Sequence, residues 1–285
     1  GLEVIDVTDP AEPFLKRRFN SVIDQGNFLF DDTFLFDDTD VTRIYPRRVA
    51  LSSDGNTAFV TTGAGLQGID LTDLADSDLW RVNMPGPAYG VALSSDGNTA
   101  FVADGSAGLQ IIVDDVPNLF AFSDQKRILG SVDTPGHAFG VALSSDGTTA
   151  CVADGFSGLT VIDVSDLANP NILGSIDTPG QAIGVALSSD GTTAFVADGY
   201  TADLQVIEVI DPTTPRILGS VDTPGSAFGV ALSSDGNTAY VADHDAGLQV
   251  IDVSDPLNPG ILGSVDTPGH AFGVALSGNG NTAYV

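Results

Sequence analysis

The chain has 285 residues, 42% of them hydrophobic, and a formal net charge of −28. Such a negative charge repels phosphate groups, so we expect neither a nucleic-acid partner nor binding to anionic lipid. No apolar run approaches the roughly 18 residues of a membrane-spanning helix, and we therefore expect no membrane insertion.

A motif of 17 residues recurs along the chain, and one clear copy runs from Phe139 to Gly155. Its Ala-Leu-Ser segment begins at six positions that are 42 to 50 residues apart: Ala50, Ala92, Ala142, Ala186, Ala231 and Ala275. A period of about 44 residues is typical of a propeller blade. Each unit contains four short apolar segments separated by turn residues such as Asp146 and Gly147, which predicts four strands per unit.

The two ends of the chain each carry part of one further unit. Residues 1–7 match a third strand, and residues 282–285 match a second strand. Together they would complete a blade, and such closure protects sheet edges that would otherwise aggregate. We therefore predict an all-β fold, a six-bladed β-propeller of four-stranded blades, in which residues 1–285 form one domain. The N- and C-terminal strands would close the last blade together, and we expect a monomer.

The segment from Gly247 to Pro259 reads GLQVIDVSDPLNP and strongly resembles the LVIVD repeat. The Ser-Ser-Asp-Gly turn is similar to that of YVTN-type propeller repeats, and the resemblance covers nearly the whole chain. It implies a β-propeller of the kind found in exported or surface proteins of bacteria and archaea. We therefore expect an extracellular or cell-surface location. The resemblance implies no defined reaction, so we assign no catalytic residues.

The first unit is longer than the others by about 21 residues, which lie within an insertion at residues 20–42. Its tandem sequence FLFDDTFLFDDT, at residues 28–39, alternates aromatic and acidic residues and predicts a hairpin or lid on the propeller. A loop of this length is either decorative or a binding loop. Its carboxylates could bind Ca²⁺ through oxygen ligands, although their spacing does not match an EF-hand. The candidate calcium ligands are Asp31, Asp32, Asp37, Asp38 and Asp40.

Arginines cluster directly after the insertion, in a chain that has only ten basic residues. The cluster contains Arg43, Tyr45, Arg47 and Arg48. Arg48 replaces a glycine that the other five units carry at this position: Gly90, Gly140, Gly184, Gly229 and Gly273. Because the first strand of a blade is the innermost, we expect Arg48 near the central channel. These guanidinium groups either pair with the acidic insertion or form a site for an anion or carboxylate.

One rim of the propeller should carry most of the irregular and polar residues, because the links between blades and the loops from second to third strands both lie there. Equivalent links place His137 and His270 three blades apart, across the channel. They could ligate a metal or serve acid–base chemistry, or they could be ordinary rim residues. The second-to-third loops add a ring of carboxylates that could hold Ca²⁺: Asp104, Asp154, Asp198 and Asp243.

Three functions are compatible with these features. We favour a non-enzymatic binding or scaffold propeller, exported or surface-displayed, with a protein or carbohydrate ligand on the rim near residues 20–48. One alternative is a hydrolase or lyase that acts on an acidic polymer or sugar at the channel mouth, although no Gly-X-Ser-X-Gly nucleophile motif is present. The other is a calcium-stabilised structural or adhesion module. The predicted ligand-binding residues are Arg43, Tyr45, Arg47, Arg48, His137 and His270.

Overall fold

In the computed structural model, the described residues are 2–11, 13–19, 47–52, 55–71, 78–114, 126–200 and 204–285. Their regular structure consists of 24 β-strands, which form six four-stranded antiparallel sheets. These sheets are the blades, and the predicted all-β, six-bladed propeller is confirmed. Within the described ranges, no helix is long and apolar enough to cross a membrane.

One blade, which we number blade 6, combines strands from both ends of the chain. Its strands are β1 (Leu2–Asp6), β2 (Phe14–Phe19), β23 (Ala275–Leu276) and β24 (Thr282–Tyr284). They pair in the order β2-β1-β24-β23, with Ile5 opposite Ala283. Ile5 and Val7 are buried together with Tyr240 and Leu248 of the neighbouring blade, so the N-terminal strands belong to the core. The predicted closure of the last blade by both termini is therefore correct.

The other five blades each consist of four strands that are consecutive in the chain. Blade 1 contains β3 (Arg48–Leu51), β4 (Thr57–Thr62), β5 (Gly65–Asp70) and β6 (Asp78–Asn83). Blade 2 contains β7 (Gly90–Leu93), β8 (Thr99–Ala103), β9 (Leu109–Asp114) and β10 (Lys126–Val132). Blade 3 contains β11 (Gly140–Leu143), β12 (Thr149–Ala153), β13 (Leu159–Asp163) and β14 (Asn171–Ile176).

The remaining two blades repeat this plan, with the first strand innermost. Blade 4 contains β15 (Gln181–Leu187), β16 (Thr193–Gly199), β17 (Leu204–Glu208) and β18 (Arg216–Val221). Blade 5 contains β19 (Gly229–Leu232), β20 (Thr238–Ala242), β21 (Leu248–Asp252) and β22 (Gly260–Val265). The inner strands of consecutive blades contact one another from β3 to β23, and they surround the central channel.

Side chains of the motif close each hairpin between a first and a second strand. Ser144 Oγ donates to Asp146 Oδ1 at 2.6 Å and accepts from the Thr149 N–H at 3.0 Å. Gly147 has a φ of +70°, a conformation that L side chains rarely adopt. The Ser144 hydroxyl and the Thr148 N–H lower the pKa of the exposed Asp146 carboxyl. These turn aspartates therefore stabilise the hairpins. Equivalent bonds from serine to aspartate occur at Ser94, Ser188 and Ser233, and Ser277 donates to Asn279 Oδ1 instead.

The hydrophobic core lies between blades. Leu109 and Ile111 of blade 2 pack with Val152 and Ile162 of blade 3, and all four side chains are fully buried. Burying an aliphatic side chain of this size contributes about 1.5–3 kcal/mol. Similar clusters join blade 3 to blade 4 and blade 4 to blade 5. Each blade therefore depends on its neighbours for most of its apolar contacts.

A glycine in the fourth strand lets the next blade approach closely. A Cβ added to Gly174 in β14 would lie 2.6 Å from the Pro212 carbonyl oxygen and 2.8 Å from that of Thr213. The equivalent Gly263 in β22 faces the Ala11 carbonyl oxygen at 2.5 Å, so the same contact joins blade 5 to blade 6. These obstacles are backbone atoms, which cannot rotate away as the end of a side chain would.

Replacement of Gly174 by alanine should destabilise the protein by about 1–3 kcal/mol, because the added methyl group overlaps two carbonyl oxygens of blade 4. Gly260→Ala is the matched control, since a Cβ at that position meets nothing within 4 Å. Denaturant midpoints, compared at an unchanged m-value, measure the difference. Equal midpoints for the two variants would contradict this close packing of blades.

Candidate functional site

Seven predicted site residues lie outside the described part of the chain: Arg43, Tyr45, Asp31, Asp32, Asp37, Asp38 and Asp40. Their roles in ligand and calcium binding stay predictions. Arg47 lies directly before the inner strand of blade 1, and Arg48 begins that strand. His137 and His270 lie in links between blades. All four are therefore at the rim that receives these links.

Arg48 extends into the central channel. Its Nη2 donates a hydrogen bond of 3.2 Å to the Phe228 carbonyl oxygen, directly before the inner strand of blade 5. The side chain is partly exposed. The surrounding protein excludes enough water to lower the pKa of Arg48. Arginine remains charged in proteins despite such a shift. No carboxylate pairs with it among the described residues. Arg48 is therefore a positive charge with one hydrogen bond and no counter-charge from that part of the chain.

A cavity of about 60 Å³ lies beside Arg48 in the channel. Among the described residues that line the cavity, Arg48 is the only charged one; the others are Gly90, Val91, Gly140, Val141, Gly184, Val185 and Val230. The cavity is small, and Arg48 is the group in it that would attract an anion such as a carboxylate.

In each blade, one residue directly precedes Arg48 or the equivalent glycine. These six residues surround the channel mouth. We call these residues the collar: Arg47, Tyr89, Phe139, Ile183, Phe228 and Phe272. The guanidinium carbon of Arg47 lies 3.7 Å from the Tyr89 ring centroid, which is a cation–π contact. Tyr89 meets Phe139 edge-on at 4.8 Å between centroids, and Phe228 meets Phe272 in the same way at 5.2 Å. The collar is therefore mainly aromatic and carries one positive charge.

Two histidines and an aspartate meet beside the collar. The rings of His244 and His270 are stacked, with centroids 4.1 Å apart and planes at 7°. Asp245 Oδ1 lies 3.1 Å from Nδ1 of His244 and 2.5 Å from Nδ1 of His270. Phe228 and Phe272 both contact the His244 ring, each at 5.2 Å between centroids. This cluster joins the second-to-third loop of blade 5 to the link that enters blade 6.

The structure does not bring His137 and His270 together. The His137 ring stacks on Phe139 of its own link at 6.1 Å, whereas His270 stacks on His244. Sequence reasoning did not foresee that His244 and Asp245 would be the partners of His270. A signal was present, because the residues Gly105-Ser106 occupy the equivalent positions in blade 2 and the residues at 244–245 break the repeat.

The aspartates of the loops between second and third strands connect adjacent blades through hydrogen bonds. Asp154 is fully buried; its Oδ1 accepts from the Thr134 hydroxyl at 2.6 Å and its Oδ2 from the Gly136 N–H at 2.9 Å. Thr134 and Gly136 belong to the link from blade 2, so these bonds fasten blade 3 to it. We call this Thr–Asp–Gly arrangement the staple. Asp198 and Asp243 form the same staple. These three aspartates therefore do not form the calcium ring that the sequence suggested as a possibility, because their carboxylates are buried and accept hydrogen bonds from the protein.

The staple of blade 2 is incomplete. Asp104 is fully buried, and its Oδ2 accepts from the Gly86 N–H at 2.9 Å. Its Oδ1 has no hydrogen-bond partner, because Met84 occupies the position at which the later links carry threonine. Burial raises the pKa of Asp104, and the Gly86 N–H opposes this only in part.

The LVIVD repeat, as a sequence family, matches residues 1–21, 85–119, 135–178, 179–223 and 224–267. These segments make up more than half of the chain. The chain belongs to the LVIVD repeat family. The unmatched residues 22–84 include all four strands of blade 1, so Arg47 and Arg48 lie where this LVIVD protein departs from its repeat. Comparison with curated protein sequences gives no significant match.

Several solved structures share the fold of this LVIVD protein. The periplasmic gluconolactonase PpgL of Pseudomonas aeruginosa is 19% identical, with a TM-score of 0.66 over 80% of this chain and 72% of that one. A putative 6-phosphogluconolactonase of Bacteroides uniformis is 14% identical, with a TM-score of 0.64 over 83% and 73%. The β-propeller domain of Cps50 (Swd1) of Myceliophteria thermophila is 15% identical, with a TM-score of 0.62 over 83% and 80%. Identities this low show a common fold and nothing more.

Replacement of Thr178 by valine should remove about 1–3 kcal/mol from the free energy of unfolding, because Asp198 Oδ1 would be buried without its partner. Thr267→Val is the matched control at the equivalent link position. The Thr267 hydroxyl donates to the Gly269 carbonyl oxygen at 2.9 Å instead of to an aspartate, so we expect a smaller loss. Chemical denaturation measures both variants. An equal loss in both would argue against a special role of the staple.

Replacement of Met84 by threonine should stabilise the protein by about 1 kcal/mol at neutral pH, because the new hydroxyl can donate to Asp104 Oδ1. The donor favours the charged carboxylate and lowers the raised pKa of Asp104 in the folded state. The gain should therefore be complete above that raised pKa and disappear as the pH falls through it. Denaturation curves at a series of pH values test this, and a gain that is independent of pH would contradict it.

Proposed function

We propose that this LVIVD protein is a non-enzymatic binding propeller that holds a carboxylate-bearing carbohydrate at its channel mouth. The observation that carries the proposal is Arg48, a charged side chain in the channel that has no carboxylate partner among the described residues.

The fold does not need an arginine at position 48. Five other blades carry glycine there, and their inner strands form without it. A partly desolvated guanidinium with one hydrogen bond costs free energy, which glycine would avoid. An anion in the adjacent cavity would supply the counter-charge and accept the remaining N–H groups. A carboxylate matches the planar, forked geometry of arginine especially well.

The cavity and the collar would contact different parts of such a ligand, the carboxylate and the sugar ring. The carboxylate would lie beside Arg48, in the cavity of about 60 Å³. The collar lies directly outside, where Phe272 is 55% exposed and Phe228 is half-buried. Aromatic rings of this kind give a flat apolar surface on which the C–H face of a sugar ring can rest. A few polar groups within an otherwise apolar site are typical of small-molecule binding.

Hydrolysis is the second candidate function, and one observation favours it. His244 and His270 lie beside the collar and share Asp245, and a histidine that a carboxylate orients can act as a general base. Two structures with this fold carry lactonase names, at 19% and 14% identity. Acid release from glucono-δ-lactone tests this function. Turnover by the wild type that is lost in the His270→Gln variant would favour hydrolysis over non-enzymatic binding.

Replacement of Arg48 by glycine should weaken the binding of glucuronate by about tenfold or more, because a charge-assisted hydrogen-bond partner is lost. The variant restores the residue of the other five blades, so its free energy of unfolding should fall by no more than about 1 kcal/mol. Isothermal titration calorimetry measures the binding, and glucose, which has no carboxylate, should bind more weakly than glucuronate.

The matched control is Arg216→Ala. Arg216 is exposed and already paired with Glu208, with Nη2 3.0 Å from Oε1, so its removal should leave glucuronate binding unchanged. Equal affinities of the wild type and the Arg48→Gly variant would contradict the proposal, as would equal affinities of the wild type for glucuronate and glucose.

A further inference from the structure

The three side chains beside the collar bring possible metal-ligand atoms close together. One ring nitrogen of His244, one of His270 and a carboxylate oxygen of Asp245 all lie within 4.8 Å of one another. A tetrahedral metal ion with bonds of about 2.0–2.1 Å holds neighbouring ligand atoms about 3.3 Å apart. The Asp245–His244 distance, 3.1 Å, is close to that value, and the Asp245–His270 distance, 2.5 Å, is shorter. Because the two rings are stacked with planes at 7°, one of them must turn about its side-chain bonds before both rings can bind the same ion.

The backbone holds the two loops in this arrangement. His244 and Ala271 exchange two hydrogen bonds, each of 3.0 Å, so His270 lies next to a fixed bridge. His244 has a φ of +42°, a region that residues other than glycine seldom adopt. The equivalent Gly105 and Gly155 have φ values of +55° and +60°. The loop therefore places an imidazole at a position where blades 2 and 3 have a glycine of similar backbone conformation, and such local strain is concentrated at functional sites.

We propose that His244, Asp245 and His270 bind a divalent transition-metal ion, with Zn²⁺ and Cu²⁺ as the ions of best-matched chemistry. Two imidazole nitrogens with one carboxylate oxygen are a ligand set that these ions prefer, whereas Ca²⁺ and Mg²⁺ prefer oxygen ligands alone. The site differs from the calcium sites considered for the acidic insertion in both its residues and its ion.

The exposure of the cluster leaves part of the coordination shell open. The side chains of His270 and Asp245 are 59% and 71% exposed, and that of His244 is 26% exposed. Three protein ligands with a fourth position open to solvent are the pattern of sites that bind or activate a further molecule. The aromatic rings of Phe228 and Phe272 limit access from the side of the channel.

Other blades provide fold-compatible substitutions for each ligand. Blade 2 has Gly105 and Ser106 at the positions of His244 and Asp245, and the link into blade 4 has Gln181 at the position of His270. The variants Asp245→Ser and His270→Gln therefore insert residues that the propeller already accommodates elsewhere. His137→Gln is the matched control, because His137 occupies the same link position in blade 3 but faces Gly105-Ser106, which offers no metal ligand.

The experiment is a calorimetric titration of chelator-treated protein with Zn²⁺ in a buffer that contains excess Ca²⁺. The calcium occupies carboxylate-only sites on this acidic surface and leaves a nitrogen-containing site free. We expect one Zn²⁺ per chain. Asp245→Ser and His270→Gln should each weaken binding by about tenfold or more, and His137→Gln should leave it unchanged. With Cu²⁺, the electron paramagnetic resonance spectrum should show two bound nitrogens in the wild type and one in His270→Gln.

Thermal melting of each metal-free variant verifies that it folds. Zn²⁺ affinity that is unchanged in both Asp245→Ser and His270→Gln would overturn the proposal, because the ion would then bind elsewhere. Absence of saturable Zn²⁺ binding to the wild type in calcium would also overturn it, as would a Cu²⁺ spectrum without nitrogen coupling.

Discussion

The position of one blade against the next depends on a buried carboxylate at three joints of the propeller, those that blades 3, 4 and 5 make with the preceding link. Asp198 lies in blade 4, but the hydroxyl of Thr178 and the N–H of Gly180 that satisfy it come from the link that leaves blade 3. A carboxylate buried without such donors costs several kcal/mol. Only the observed position of blade 3 against blade 4 supplies these donors to Asp198, so other positions are disfavoured. Apolar packing between blades holds them together, and the staple fixes their relative position. The relative position of the blades in turn determines where the residues of the channel mouth lie.

A fixed frame explains how single substitutions can create a site. Arg48 and His244 both occupy positions where other blades carry glycine. In the inner strand, a Cβ on Gly140 would approach the Ile183 carbonyl oxygen at 2.7 Å; in the loop, Gly155 has a φ of +60°. Side chains at such positions cannot enter the packed interior, so they extend into the channel or over the rim. Replacement of a glycine at either of these two positions therefore adds a chemical group to the mouth.

The fold was predictable from the sequence because its signals are local. Turn residues such as Asp146 and Gly147 recur with a fixed period, and the incomplete units at the ends complement each other. The staple was not predictable in the same way. Asp154 precedes a glycine, as a turn residue or a metal ligand would, and the sequence does not show that its side chain points inward. Its partner Thr134 lies 20 residues away in the preceding link, so only the packing of two blades reveals the bond.

The histidines illustrate a different limit. Equivalent positions in different blades are related by rotation about the channel axis. His137 and His270 are three blades apart, so they lie on opposite sides of the channel. Contacts form between adjacent loops instead, so His270 meets His244 from the blade that precedes its link. Departures from the repeat at adjacent loops are a better guide to a site than the same residue type at equivalent positions.

The acidic surface affects the two sites at the mouth in opposite ways. Serine hydroxyls lower the pKa of exposed turn aspartates such as Asp146 and Asp235, which keeps them charged and contributes to the net charge of −28. The resulting field concentrates cations near Asp245 and repels anions from the whole surface. Arg48 attracts only at short range, in a cavity where water screens charges less than it does outside. Under the proposed function, an anion must therefore fit the cavity to gain this attraction, and the surrounding negative charge disfavours anions that do not fit.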